Sequence, residues 1–117
     1  MSYVTIGYGR IRVSAGAVRE ELPDDIDVER INSAVIYVDE DRPIEAIGIE
    51  FSEKESNPKK RYAVQHPEDG AIHIGAHEPV EAILSDRARG RYACRWDDSE
   101  DILTVDLTNL KKALGGE

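Results

Sequence analysis

The stretch GRIRVSAGAVREEL, Gly9–Leu22, has a counterpart later in the chain in GAIHIGAHEPVEAIL, Gly70–Leu84. When the two are set 61 positions apart, Gly9 coincides with Gly70, and several apolar and acidic positions also coincide. The matched pairs are Ile11 with Ile72, Val13 with Ile74, Ala15 with Ala76, Glu20 with Glu81, and Leu22 with Ile83. Agreement at a nearly fixed spacing indicates an internal repeat, although two alternating strands also resemble each other by chance.

A second agreement extends the repeat toward the C-terminus. The segment VIYVDEDRPIEAIGIEF aligns with ACRWDDSEDILTVDL once two small gaps are allowed. The aligned apolar positions are Ile47, Ile49 and Phe51 in the first segment and Leu103, Val105 and Leu107 in the second. We therefore predict a single domain over residues 1–117, with one repeat at about 9–51 and the other at about 70–107.

Each repeat predicts a strand, a short helix and then a two-stranded hairpin. In the first strand, Ile11 and Val13 share one face, while Arg10 and Arg12 share the other. Ser14 follows as a suitable N-cap for the helix. The hairpin turns are the acidic segments DEDRP and Asp97–Asp101. Two such units predict an α+β, mostly β domain, in which tandem duplicated strand-helix-hairpin units form a small pseudo-twofold β-barrel.

Segments outside the repeats add further elements. Tyr3–Tyr8 predicts an N-terminal strand with Val4, Ile6 and Tyr8 on one face. The inward-facing positions are even-numbered up to Tyr8 and odd-numbered from Ile11. This shift by one residue predicts a bulge or tight turn at Gly7 or Gly9. The other predicted elements are a strand at Arg61–Gln65, a polar linker at Ser52–Lys60 containing Pro58, and a C-terminal helix from about Thr108 to Leu114, with Lys111 and Lys112 near its end and Gly115 after it.

Charge is unevenly distributed along the chain. The formal net charge is −9, yet residues 1–19 carry three arginines and no acid, and residues 59–95 carry seven bases against five acids. The net charge opposes binding to nucleic acid, while the two basic segments favour it. Ten arginines beside five lysines in an acidic chain are typical of a salt-rich cytoplasm, as in a halophile, and equally of an ordinary acidic protein.

The sequence also predicts a compartment. Cys94 is the single cysteine, so no internal disulfide forms, which suits a reducing environment. The start, MSYVTIGYGR, lacks the apolar run of a signal peptide, and no stretch approaches 18 apolar residues. We therefore expect a cytoplasmic protein without a membrane-spanning segment.

The first repeat resembles the AbrB/SpoVT swapped-hairpin superfamily, whose motif is close to GRIxIPxxxRExL. The matching residues are Gly9, Arg10, Ile11, Val13, Arg19, Glu20 and Leu22. Two units in one chain are similar to the MraZ arrangement within that superfamily. Ser14 stands where the family has proline, and Asp27–Ile31 replaces its Gly-Asp pair. The resemblance implies a DNA-binding regulator or architectural protein that uses arginines of the first strand and neighbouring loops.

Six arginines are the candidate nucleic-acid-binding residues: Arg10, Arg12, Arg19, Arg89, Arg91 and Arg95. If Arg10, Arg12, Arg91 and Arg95 converge on one face, double-stranded DNA is the favoured partner. If they are dispersed, a structural or protein-interaction module with an acidic surface at Asp24–Glu29 is favoured instead. A homodimer stays open in either case.

Other residue types predict no catalytic or metal chemistry. His73 and His77 are four apart, but the first lies in a predicted strand and the second at its junction with a helix, so a zinc site is disfavoured. The acidic turns lack the spacing of a calcium loop, and Cys94 alternates with Tyr92 and Trp96 as a core residue. No phosphate-binding glycine loop, Ser-His-Asp order or redox pair of cysteines is present, so we expect a non-enzymatic protein without a cofactor.

Overall fold

Alternating apolar residues build strands that close into an antiparallel barrel. The computed structural model describes residues 2–57 and 61–114. In these residues there are eight strands: β1 (Tyr3–Gly7), β2 (Arg10–Val13), β3 (Ser33–Val38), β4 (Ala46–Ser52), β5 (Tyr62–Gln65), β6 (Ile72–Gly75), β7 (Gly90–Asp97) and β8 (Ile102–Ala113). Their order around the barrel is β1-β2-β6-β5-β3-β4-β8-β7, and β7 pairs back with β1. The mostly β class and the barrel are thus confirmed.

The barrel interior is filled by one face of each strand. Buried side chains alternate with exposed or half-buried ones, as period-two patterning requires. The innermost strand residues are Val4, Ile6, Ile11, Val13, Ile47, Ile49, Ile72, Ile74, Leu103 and Val105. Each buried aliphatic side chain contributes about 1.5–3 kcal/mol relative to an exposed one. The inner face is therefore fixed by packing, and its alternate residues are left to form the outer surface.

Two short helices follow β2 and β6, as the repeat pattern predicts. The first, α1, spans Ala15–Glu20, and the Ser14 hydroxyl accepts from the Ala17 amide at 3.0 Å. The second, α2, spans His77–Leu84 and buries Val80 and Ile83 against the barrel. A single 3₁₀ turn covers Val28–Arg30. Neither α1 nor α2, the α-helices of the described ranges, is long and apolar enough to cross a membrane.

A tight turn connects β1 to β2, as the shift of the inward-facing positions by one residue predicts. Gly7 pairs with Arg10, and the two residues between them have positive φ, 53° at Tyr8 and 74° at Gly9. Two positive φ values are the requirement of a type I′ hairpin turn. The prediction that Tyr8 faces inward with Val4 is wrong, because Tyr8 lies in the turn and is 74% exposed.

The predicted C-terminal helix at Thr108–Leu114 is wrong. These residues continue β8, which runs to Ala113 and pairs with the start of β7. Gly90 lies opposite Ala113 and Arg91 opposite Lys112, so cross-strand bonds replace the helical ones. Gly115 lies outside the described residues, as do Pro58, Lys59 and Lys60 of the predicted linker. Ser52, the first linker residue, belongs to β4.

Candidate nucleic-acid interface

A row of polar side chains crosses the outer surface of neighbouring strands. Arg12 of β2 lies opposite His73 of β6 on one side and Thr5 of β1 on the other. Thr5 in turn lies opposite Arg91 of β7, and Arg91 opposite Lys112 of β8. Thr5, Arg12, His73 and Arg91 alternate with buried positions on their strands, so the register places them on one outer surface. Lys112 joins them through its pairing with Arg91.

Arg10 and Arg89 extend this outer surface, and both lie next to glycines of neighbouring strands. Arg10 lies between Gly7 and Gly75 in the pairing, so no cross-strand side chain covers it. A Cβ at Gly7 would lie 3.4 Å from the Arg89 side chain, which shows how closely the arginine stem lies over the strand. A recess of about 360 Å³ opens here, and Arg10, Arg12 and Arg89 line it together with Tyr8. We call Arg10, Arg12, Arg89 and Arg91 the basic face.

Two tyrosines hold arginines of the basic face by cation–π contacts. The Arg89 guanidinium lies 4.5 Å from the centre of the Tyr8 ring, and that of Arg91 lies 4.7 Å from the centre of Tyr3. A ring beneath a guanidinium fixes its plane without neutralising its charge. The Arg91 Nε is buried and has no hydrogen-bond partner in the described ranges.

Arg12 differs because it is partly neutralised. It forms an ion pair with Asp69, and its Nε donates to the His73 Nε2 at 3.0 Å. The pKa of Asp69 is lowered, first by the hydrogen bond from the Ala71 amide and then by the Arg12 charge. Arg10, in contrast, is exposed, and across residues 2–57 and 61–114 it makes no ion pair.

Arg95 and Arg19 lie apart from the basic face. Arg95 belongs to β7 but lines a separate recess of about 860 Å³ with Asp97, Asp98 and Asp106, and we call this recess the acidic groove. Arg19 lies in the last turn of α1, is exposed, and lines another recess together with Glu29 and Glu68. The structure therefore brings together Arg10, Arg12, Arg89 and Arg91, and separates the remaining two sequence-predicted arginines from them.

Sequence reasoning missed Tyr3, Tyr8 and Asp69. The Tyr8–Gly9 pair between two alternating strands was a usable turn signal, and it could have placed Tyr8 at a hairpin tip. No local pattern links Tyr8 to Arg89 or Arg12 to Asp69, because these partners meet only when the barrel closes.

The histidines and acidic turns form no metal site in the part of the chain that the structure describes. His77 pairs with Glu81, 3.0 Å away, and the His66 Nε2 lies 2.6 Å from the Ile31 carbonyl oxygen. The Asp97 carboxylate accepts hydrogen bonds from the Ser99 hydroxyl and amide, and these bonds lower its pKa.

Cys94 packs against the core but is half-buried rather than fully enclosed. Burial, with smaller contributions from nearby glutamates, raises its pKa to about 12. The thiol is therefore protonated at neutral pH, which matches the expectation of a packing residue.

The alternative surface at Asp24–Glu29 is also present. Asp24, Asp25, Asp27 and Glu29 are exposed, and none forms an ion pair within the described ranges. Arg30, next to them, pairs with Glu53 at 3.3 Å.

No protein-family model matches the chain, and no curated protein or solved structure matches it.

Proposed function

We propose that this protein binds DNA through the basic face. The observation that carries the proposal is the convergence of Arg10, Arg12 and Arg89 on one recess. A chain with a formal net charge of −9 repels a polyanion over most of its surface. Collecting arginines on one surface reverses that repulsion locally and orients the approach of the phosphates.

A transcriptional regulator or architectural protein of AbrB-like type is the role that we propose. The strand bearing Arg10 and Arg12 is the one that carries the family-like motif. Its inner residues, Ile11 and Val13, are committed to the core, so its outer residues are held on a rigid element. A single cysteine, Cys94, suits a reducing cytoplasmic location.

We also infer that the barrel arose from two tandem units related by a pseudo-twofold axis. Such an axis would exchange β1 with β5, β2 with β6, β3 with β7 and β4 with β8. After this exchange, every pair of strands that are neighbours in the barrel is again a pair of neighbours. Across β2 and β6, Ile11 lies opposite Ile74 and Val13 opposite Ile72, which are the reciprocal pairs that such an axis requires. Gly9 and Gly70 both have positive φ.

Expression of residues 1–56 alone tests the duplication. This fragment contains the β1–β2 and β3–β4 hairpins, which share no strand pairing in the barrel because β6 and β5 lie between them on one side, and β8 and β7 on the other. We expect the fragment to be unfolded or to self-associate, since a second copy would supply the missing strands. A stable monomeric fragment, detected by circular dichroism and ultracentrifugation, contradicts the inference.

A titration with duplex and single-stranded DNA at 50 and 200 mM salt tests DNA binding. Each neutralised phosphate contributes about −0.9 to the slope of log affinity against log salt for duplex DNA, and about −0.7 for a single strand. Arg10→Ala combined with Arg89→Ala should therefore flatten the duplex slope by roughly 2 units. Arg12→Ala should have a smaller effect, because Asp69 already neutralises part of that charge.

Arg19→Ala combined with Arg95→Ala is the matched control, since it removes two exposed arginines that lie outside the basic face. We expect this variant to keep the wild-type slope. Absence of binding to either DNA form at 50 mM salt refutes the proposed function. The four exposed acids of Asp24–Glu29 would then favour a protein-interaction module, and substituting them by asparagine and glutamine would test that role against a basic partner.

A further inference from the structure

We propose that the basic face accepts unpaired bases, with Tyr8 as a stacking platform, so that single-stranded DNA is its preferred ligand. This inference rests on the proposed function and specifies the form of DNA. The hairpin tip supplies the observation: Tyr8 is the most exposed large hydrophobic residue in the described ranges, at 74%. Its ring contacts the Arg89 guanidinium and borders the recess lined by Arg10 and Arg12.

The backbone conformation at Tyr8 favours a role of its side chain in binding rather than in folding. Tyr8 has a φ of 53°, in the left-handed region that favours glycine and asparagine. Type I′ turns prefer Asn-Gly, and a bulky aromatic at the first turn position is strained. Little of the ring is buried, so core packing does not offset this strain. Strained residues of this kind cluster at binding sites.

The side chains around Tyr8 resemble those of sites that bind unpaired bases. Proteins that bind single strands combine a cationic groove for the backbone with aromatic rings on which bases stack. Here Arg10 and Arg12 line the recess beside Tyr8, while Tyr3 with Arg91 forms a second aromatic and cationic pair at the other end of β1. Bases within a duplex are already stacked on each other, so an exposed tyrosine beside the arginines adds little to duplex binding.

Tyr8→Asn separates this role from a structural one. Asparagine suits the turn better than tyrosine, so the variant should fold with an unchanged or higher Tm. Its affinity for a labelled single-stranded oligothymidine should fall roughly 5- to 150-fold, the range of one base–aromatic stack. Tyr8→Phe should retain wild-type affinity. Tyr37→Ala, which removes another exposed tyrosine on β3, is the control and should also bind as wild type does.

Three probes decide the outcome in an anisotropy titration: oligothymidine, an abasic strand of equal length, and a hairpin duplex. We expect oligothymidine to bind more tightly than either of the others. Equal affinity for the abasic strand, or unchanged binding of oligothymidine by Tyr8→Asn, overturns the stacking role. Tighter binding of the duplex overturns the preference and leaves the proposed function standing, whereas failure of all three probes removes both.

Discussion

The basic face and the acidic groove share strand β7, yet they present arginine in opposite surroundings. Arg91 lies opposite Thr5 and over the Tyr3 ring, with Arg12 two strands away. Arg95, four residues along the same strand, lies opposite Thr104 and beside Asp97. A shift of register at Tyr92 separates the two halves of the strand. The role of an arginine here depends on its cross-strand neighbours, which the local sequence RYACR does not reveal.

The largest expected effect concerns Cys94 at the edge of the acidic groove. With a pKa of about 12 against an unperturbed value near 8.5, the native thiol has on the order of 10³-fold less thiolate at pH 8. A more basic thiolate is also more nucleophilic, so labelling by a thiol reagent should be slower than in denaturant by a smaller factor, on the order of 10²-fold, and should accelerate roughly tenfold per pH unit. Rapid native labelling would show that the groove wall opens.

A matched pair of glycine substitutions tests the strand end beneath the basic face. A Cβ at Gly90 would lie 2.4 Å from the Lys112 carbonyl oxygen, whereas a Cβ at Gly75 meets nothing within 4 Å. Gly90→Ala should lower the free energy of unfolding by about 1–3 kcal/mol, the usual cost of overpacking. Gly75→Ala should leave it nearly unchanged. Similar denaturation midpoints for the two variants would contradict the β7–β8 register.

Asp69→Asn sharpens the contrast between Arg12, which has an acidic partner, and Arg95 in the acidic groove. Asparagine keeps an oxygen for the Ala71 amide but no longer neutralises Arg12. If DNA binds the basic face, the salt slope should become steeper by about 1 unit on duplex DNA. Asp97→Asn in the acidic groove is the control, for which the slope should stay the same. A slope unaffected by Asp69→Asn would mean that Arg12 contacts no phosphate.

The smallest effect is a pH dependence of stability at the same carboxylate. Because the native pKa of Asp69 lies below its ordinary value of 3.8, ionisation favours the folded state. This contribution is complete above the ordinary pKa and is lost as the pH falls through the lowered one. The Tm of wild type should therefore exceed that of Asp69→Asn slightly at neutral pH, and the difference should disappear in acid. A constant difference across the range would argue against the lowered pKa.

Much of the barrel was predictable because alternation fixes which side chains point inward. Ile11 with Val13 and Leu103 with Val105 could be assigned to the core from spacing alone. The segment after Leu107 could not, because its spacing fits a helix as well as a strand, and pairing with Gly90 and Arg91 decides between them. The basic face could be predicted only in part. Arg10 and Arg12 share one face of a strand, so the sequence alone groups them. Arg89 comes close to them only when the barrel closes.

Closure itself has a consequence for how this chain folds as it is made. The first strand, β1, pairs with β7, so the seam of the barrel joins residues from opposite ends of the chain. Non-local pairings of this kind carry a large loop-closure cost and slow folding to milliseconds or seconds. On the ribosome, β1 and β2 emerge long before β6 and β7, their neighbours in the barrel. Until the last third of the chain has been synthesised, the apolar inner face of that first hairpin stays uncovered, a window in which a nascent-chain chaperone would find its binding site.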